Sequence, residues 1–319
     1  MEMDFAGREL PFVSRTGSIY FTPHPVAGML RFRITIPRRI HKELMPFVTG
    51  EHSEEFTVLV CYWNDFPVTY VLEGNDVKLP DSIGVAIVRE FLQKELKRLG
   101  AEADGVSLSC LGPSPFHANF HLAPCAEPIP DSSGIAIEKV NSKSTTILIR
   151  YDASHLKTSA DAFARFSELT IAQFSYYYYQ VALRHRRLDS AIRISNLTAG
   201  LIEMHQLSGF RGWVLRAFRS GRLAREISLA AISYEFETTT EQQSAKRTLD
   251  ELYDKSSIAL FRPWIESEIE EDFIAEHKAS RETADLLEPR RLREANTLLV
   301  LLVAVISALM GATAKLLIG

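Results

Sequence analysis

The chain is expected to be α+β: an N-terminal mixed α/β domain, a C-terminal helical region and one C-terminal transmembrane helix. Three observations predict this. Apolar residues alternate with period two through much of the first half, helical spacing replaces that pattern after residue 152, and residues 295–314 run for twenty positions without a charge. The boundaries that follow are an α+β domain over 1–152, a helical connector or bundle over 153–289 and the membrane helix over 295–314. At about 1.5 Å per residue the uncharged run covers roughly 30 Å, the thickness of a bilayer's hydrocarbon core. Helix is the state expected there, because an isolated segment in lipid must satisfy its own N–H and C=O groups. A buried core helix is the competing account of the same run.

In the first 25 residues periodicity is weak, and a turn is expected at Pro23, His24 and Pro25. One short strand is expected over 18–21. Between 29 and 36, Leu30, Phe32, Ile34 and Ile36 alternate with Arg31, Arg33 and Thr35, as in a strand with one buried face. A nearly continuous apolar run over 56–63, the turn residues Asn64 and Asp65, and a second run over 68–72 predict a hairpin. Asp81 and Ser82 can cap a helix carrying Val85, Val88, Phe91, Leu92, Leu96 and Leu99 on one stripe, and Gly100 is placed to end it. Strands are expected over 106–111, 116–122, 135–140 and 145–151. Gly112-Pro113 supplies the turn after the first, and Asn141-Ser142-Lys143 joins the last two.

Beyond residue 152, Phe163, Phe166, Leu169, Phe174, Tyr177, Tyr178, Val181 and Leu188 lie at helical spacings, and no Pro or Gly intervenes. Further helical stretches cover 201–207, 213–236, 244–260 and 264–287. Breaks are expected at Gly200, at 209–212 and at Pro263, and Pro289 is expected to separate the last soluble helix from the membrane helix. Charge is partitioned within this half. Residues 182–225 hold nine arginines against two acids, a balance of +7, whereas 226–276 hold thirteen acids against four bases, a balance of −9. Basic helices lying against acidic ones would account for this.

Composition sets the outer limits. With 319 residues, 46% of them hydrophobic and 24% charged, the chain can bury one or two cores ahead of the apolar run. A net charge of −4 creates no whole-protein field toward nucleic acid. Cys61, Cys110 and Cys125 are odd in number and lack metal-type spacing, so they are expected to be free thiols in a reducing compartment. Residues 1–11 hold Glu2, Asp4 and Glu9 without an apolar core, unlike a secretory signal.

The residues with the most chemical promise lie in the basic segment. Arg211, Arg216, Arg219, Arg222 and Arg225 are interleaved with Phe210, Trp213, Leu215, Phe218 and Leu223, with no acid before Glu226. Trp213, Arg216, Arg219, Arg222 and Arg225 are the candidate ligand contacts. Two partners suit them: an anionic membrane surface, and a phosphate-bearing ligand such as a nucleotide or oligonucleotide. The three-residue spacing from Arg216 to Arg225 rotates these side chains around a helix, which weakens the membrane-lying alternative.

Other clusters offer less. His117 and His121, four apart in a strand, would stand roughly 13 Å apart, too far to share one ion. His185 among Arg184, Arg186 and Arg187 fits a surface cationic knot, and a histidine of lowered pKa is the alternative. Tyr176, Tyr177, Tyr178 and Tyr179 cover all sides of a helix and are expected to be buried, with hydroxyls reaching partners. The acids of 266–272 are expected to be a solvated face. Phosphate loops, dinucleotide fingerprints, nucleophile elbows and zinc motifs do not occur. No cofactor or metal is therefore expected and no reaction is indicated; a membrane-anchored enzyme of another type stays open.

Around the apolar run, Arg290, Arg291 and Arg293 precede it and Lys315 alone follows, so the N-terminal side is expected to be cytoplasmic in a single-pass protein. Ala304, Ser307, Ala308, Gly311 and Ala312 recur at spacings of three and four, placing small side chains on one face where helices can approach closely. The partners implied are a lipid bilayer, further copies of the chain, and an anionic ligand or protein. This order of parts resembles prokaryotic membrane effectors of stress or antiphage defence, a likeness of domain order without a diagnostic motif. It implies a ligand-sensing, tail-anchored oligomer that alters membrane permeability; a membrane-tethered interaction adaptor is the alternative.

Overall fold

The computed structural model describes residues 3–5, 28–46, 53–63, 66–73, 84–99, 118–129, 133–139, 146–254 and 258–318. The architecture is a mixed α/β N-terminal region followed by a mostly helical C-terminal region with one long apolar helix. The chain divides into two compact units, Met1–Gln180 with Thr248–Ser267, and Val181–Arg247 with Glu268–Gly319.

In the first unit, β1 (Met3–Phe5), β2 (Gly28–Thr35), β3 (Glu55–Trp63) and β4 (Phe66–Glu73) form an antiparallel sheet in chain order. The register sets Phe32 against Val58 and Val58 against Val71. On that face Phe32, Phe56 and Val58 are buried with Ile36 and with Ile87 and Val88 of α2 (Gly84–Leu99). The opposite face carries Leu59, Cys61, Val68 and Tyr70, also buried. β3 is buried on both faces and so reads as a continuous apolar run, whereas β2 exposes Arg33 and Thr35 on one face and so alternates. The expected strand at 29–36 and the hairpin strands are present. Neither β1 nor the short helix α1 (Arg38–Leu44), entered from Pro37, was expected, since three and seven residues carry too little periodicity.

A second sheet has the order β5-β7-β6, from β5 (Asn119–Cys125), β6 (Ile135–Lys139) and β7 (Thr146–Asp152), with β5 parallel and β6 antiparallel to β7. β5 is shifted three residues beyond its expected span; as an edge strand it tolerates Pro124, which a central strand would not. Tyr70 stacks on Phe174 of α3 (Ser159–Gln206) at 5.9 Å, and Phe120 of β5 meets Phe174 at 5.7 Å and Phe261 at 6.4 Å. Tyr176 and Tyr177 are buried as expected. Both sheets thus contribute rings to the cluster on the first half of α3. The expected strands at 18–21 and 106–111, the caps Asp81, Ser82 and Gly100, and the four turns fall outside the described residues.

The second unit contains the rest of α3, then α4 (Gly209–Leu215), a π-helical turn (Arg216–Ser220), most of α5 (Gly221–Tyr253), the end of α6 (Arg262–Glu270) and α7 (Ile274–Ile318). Each of the four expected breaks is shifted or lost. Gly200 lies inside α3; a helical Gly costs only about 1 kcal/mol, which the packed neighbours Leu197 and Leu201 offset. The chain turns instead at Leu207 and Ser208, and Gly209 has φ +76°, a left-handed backbone that glycine adopts without a Cβ clash. Pro263 is the second residue of α6, in the first turn, where no N–H is needed, so the break expected at it falls just before it, between Tyr253 and Arg262. Pro289 lies within α7, so the last soluble helix and the apolar run are one element.

Within this unit α3, α5 and α7 pack as a three-helix bundle whose contacts form successive levels. At one level Arg187 donates to Glu241 of α5 at 3.2 Å and to the carbonyls of Glu268 and Glu271, at 2.7 and 3.1 Å, capping the C-terminal end of α6. Next, Tyr234 stacks on His277 with ring centres 3.7 Å apart. Then Ile194, Leu201, Ala224, Ile227 and Ala284 form the apolar core. The sequence numbers give the directions: α3 and α7 run together and α5 runs against them. The basic segment does meet acids, through Arg184 with Glu268 and Glu271 and through Arg193 with Glu226.

Candidate functional site

The last level of the bundle lies at the residue preceding the uncharged run. Arg216, 5% exposed, places its Nε 2.7 Å from Oε2 of Glu294, and Arg290 reaches Oε1 of the same carboxylate at 3.3 Å. Arg216 also donates to the carbonyls of Leu207 and, at 3.4 Å, Met204, which the turn after α3 leaves without helical partners. One guanidinium therefore joins the end of α3, the start of the π-helical turn and the base of the apolar run. Such turns accommodate an extra residue within a helix and recur at functional positions. Ser220 donates its hydroxyl to the Arg216 carbonyl at 2.6 Å. Beside it, a Cβ on Gly221 would collide with the Arg291 guanidinium, so glycine is what lets α7 pass this close.

Burial alone would raise the Glu294 pKa, but the hydrogen bonds and charges of Arg216 and Arg290 prevail and hold it below the usual carboxylate value. His205 lies at the same level, buried, with neither ring nitrogen partnered among the described residues. Burial first, then the positive charges of Arg290 and Arg216, lower its pKa against the opposing pull of Glu294. The collar is thus a carboxylate held ionised and an imidazole held neutral.

The five candidate contacts do not form one group here. Arg216 is internal. Trp213 is half-buried against Phe210, with ring centres 5.6 Å apart. Arg219, Arg222 and Arg225 are exposed, as is Arg211, and none of the four has an acidic partner among the described residues. Phe210 and Phe218 are 75% and 68% exposed, an unusual state for phenylalanine beside a packed helix end. Arginine forks and accessible rings of this kind can hold phosphate oxygens.

Farther along α7, Ala304, Ser307 and Ala308 are exposed, as is every residue over 301–310, and Gly311 and Ala312 continue the same helix. It is the one helix among the described residues long and apolar enough to cross a membrane. Sequence reasoning did not single out Glu294 or His205. An acid directly abutting an uncharged run was the available signal for Glu294; His205, isolated near the end of a helix, offered none.

The remaining candidates settle as structural groups. His185 stays at the surface with Nδ1 2.7 Å from the Val181 carbonyl oxygen, whereas its neighbour Arg187 is buried and ties the bundle together. Glu268, in the acidic stretch expected to be solvated, pairs with Arg184 at 3.2 Å. Burial pushes the Cys61 thiol up to about 12, which makes it a packing residue rather than a nucleophile. Among the described residues no group of three or more His, Cys, Asp or Glu could hold a metal; His117 and Cys110 lie outside them. No protein-family model, curated protein or solved structure matches the chain.

Proposed function

We propose that this chain is a tail-anchored, single-pass membrane protein whose cytoplasmic part senses an anionic ligand or a protein partner, and whose self-associated apolar helices alter membrane permeability. The observation that carries the reading is the exposed run over 301–310. Each Val, Leu or Ile left in water forgoes about 1.5–3 kcal/mol of burial, which a bilayer would restore. Arg290, Arg291 and Arg293 against the single Lys315 support a cytoplasmic bundle. Ala304, Ser307, Ala308, Gly311 and Ala312 supply the small face for helix association, and one helix cannot enclose a pore.

Trp213, Arg219, Arg222 and Arg225 are the contacts for the trigger. Arg216 acts one step behind them, because its pairing with Glu294 joins the exposed segment to the base of the membrane helix. A trigger must bind one arrangement of this collar more tightly than another, since equal affinity shifts no equilibrium.

The test is inducible expression with a membrane-potential dye. The full chain should depolarise cells, and Gly311→Leu should abolish both depolarisation and the oligomer in detergent while leaving the protein in the membrane fraction. Depolarisation unchanged in that variant would exclude the small face as the pore interface. An adaptor is the second reading, favoured by Leu229, Ile232 and Phe236, which are exposed at spacings of three and four on α5 and would give a protein partner an apolar face.

A further inference from the structure

The elbow formed by the turn at Leu207 and Ser208 and the start of the helix that follows it lies at a particular depth. Arg216 pairs with Glu294, the residue before the uncharged run, so this elbow occupies the end of the bundle from which α7 continues into its apolar stretch. Four features coincide there. Phe210 and Phe218 are exposed, Trp213 is half-buried beside Phe210, Arg211 and Arg219 are exposed without acidic partners among the described residues, and Arg290 and Arg293 add positive charge at the same level. Aromatic rings favour the bilayer interface, and arginines just cytoplasmic of a membrane helix favour anionic headgroups.

We infer that this elbow docks on the anionic surface of the bilayer, with Trp213 and Phe218 at headgroup depth, Phe210 deeper toward the acyl chains, and the long side chains of Arg211 and Arg219 reaching lipid phosphates. The inference rests on the membrane-anchored reading above and names the anionic ligand of the first part of its basic segment, Arg211 and Arg219, leaving Arg222 and Arg225 to a soluble trigger. Depth also sorts the arginines. Because α5 runs away from Glu294, Arg222 is set back by roughly 9 Å and Arg225 by roughly 13 Å at helical rise. The headgroup layer of one leaflet is only about 5–7 Å thick, and charges beyond about 8 Å are screened at physiological salt. Arg222 therefore sits at the margin and Arg225 outside it. The rotation of the arginines around the helix, which counts against a helix lying flat, does not count against an elbow presenting its tip.

The experiment uses the full chain in proteoliposomes, with Trp63→Phe and Trp264→Phe leaving Trp213 as the sole tryptophan. Vesicles are of phosphatidylcholine alone or with phosphatidylglycerol, carrying lipids brominated near the headgroup. Trp213 should be quenched by bromine in the anionic vesicles. The quenching should fall at about 1 M salt, where the screening length is about 3 Å. Arg211→Gln and Arg219→Gln should each weaken the preference for anionic vesicles about fivefold, and Arg186→Gln, exposed on α3 at the opposite end of the bundle, should leave it unchanged. Hydrogen exchange of residues 207–219 in the unsubstituted chain should show the same anionic protection.

A chain that fails to float with the vesicles would overturn the anchored reading itself. A chain that floats while Trp213 stays open to iodide in both vesicle types, with 207–219 unprotected, would overturn the docking alone. Quenching that is equal in both vesicle types, or relieved by an added oligonucleotide, would also overturn it, the latter result giving these arginines to a soluble phosphate ligand.

Discussion

Arg216 was legible as a cation and not as a structural one. Its partner Glu294 is 78 positions away, and periodicity reports which face of a helix is buried, not which distant charge meets it. A buried ion pair costs desolvation on both sides, so removing one partner strands the other. Arg216→Ala should therefore lower stability by about 3–5 kcal/mol in denaturant titration of the detergent-solubilised chain. Arg216→Met with Glu294→Leu should lose much less, because neither charge is then left buried. Acidification should weaken the same collar in two stages. His205 has a pKa below its ordinary 6.5, so the folded state resists its protonation and stability starts to decline as pH drops below 6.5. Glu294 has a pKa below its ordinary 4.5, so its contribution is complete above 4.5 and is lost as pH falls through the lower folded value. Melting temperature against pH should show both, with His205→Gln reducing the upper stage to the part due to His277, whose pKa burial also lowers, and Glu294→Gln reducing the lower.

Local rules placed the larger elements well and their ends less well. β2, β3, β4 and α2 follow from apolar spacing alone, since each buries a regular face. Prolines and glycines misled where packing outweighs local preference. Pro289 has no N–H, so the Asp285 carbonyl lacks its helical donor, yet α7 continues because Ala284 and Leu287 are packed on one side of it and Glu294 is paired on the other. Restoring that hydrogen bond with Pro289→Ala should raise stability by about 1–3 kcal/mol, read as a higher melting temperature in detergent. An unchanged or lower value would mean that the bundle depends on the proline's fixed geometry.

At the scale of the molecule, the division of the chain follows contacts rather than period. Strands give way to helix after Asp152, but the first compact unit continues to Gln180 and reclaims Thr248–Ser267. The exposed apolar run is the feature that marks this molecule out from an ordinary soluble fold. Ending the chain after Thr297 retains Arg290, Arg291 and Glu294, and should yield protein that leaves the membrane fraction and melts within a few degrees of the full chain. Ending it after Glu288 deletes the collar's carboxylate and should lower the melting temperature well below that of the longer truncation.

Sequence alone determined the α+β class, the strand-rich first half, the helical second half and the apolar helix of α7. Each of these rests on a repeating pattern or a continuous run, and such signals are local. Tertiary structure decided that one arginine of the basic segment is internal while its neighbours are exposed, and that the segment turns at the level where the apolar run begins. Those outcomes depend on three helices meeting at residues far apart in the chain, and no spacing within one segment encodes which level of one helix faces which level of another.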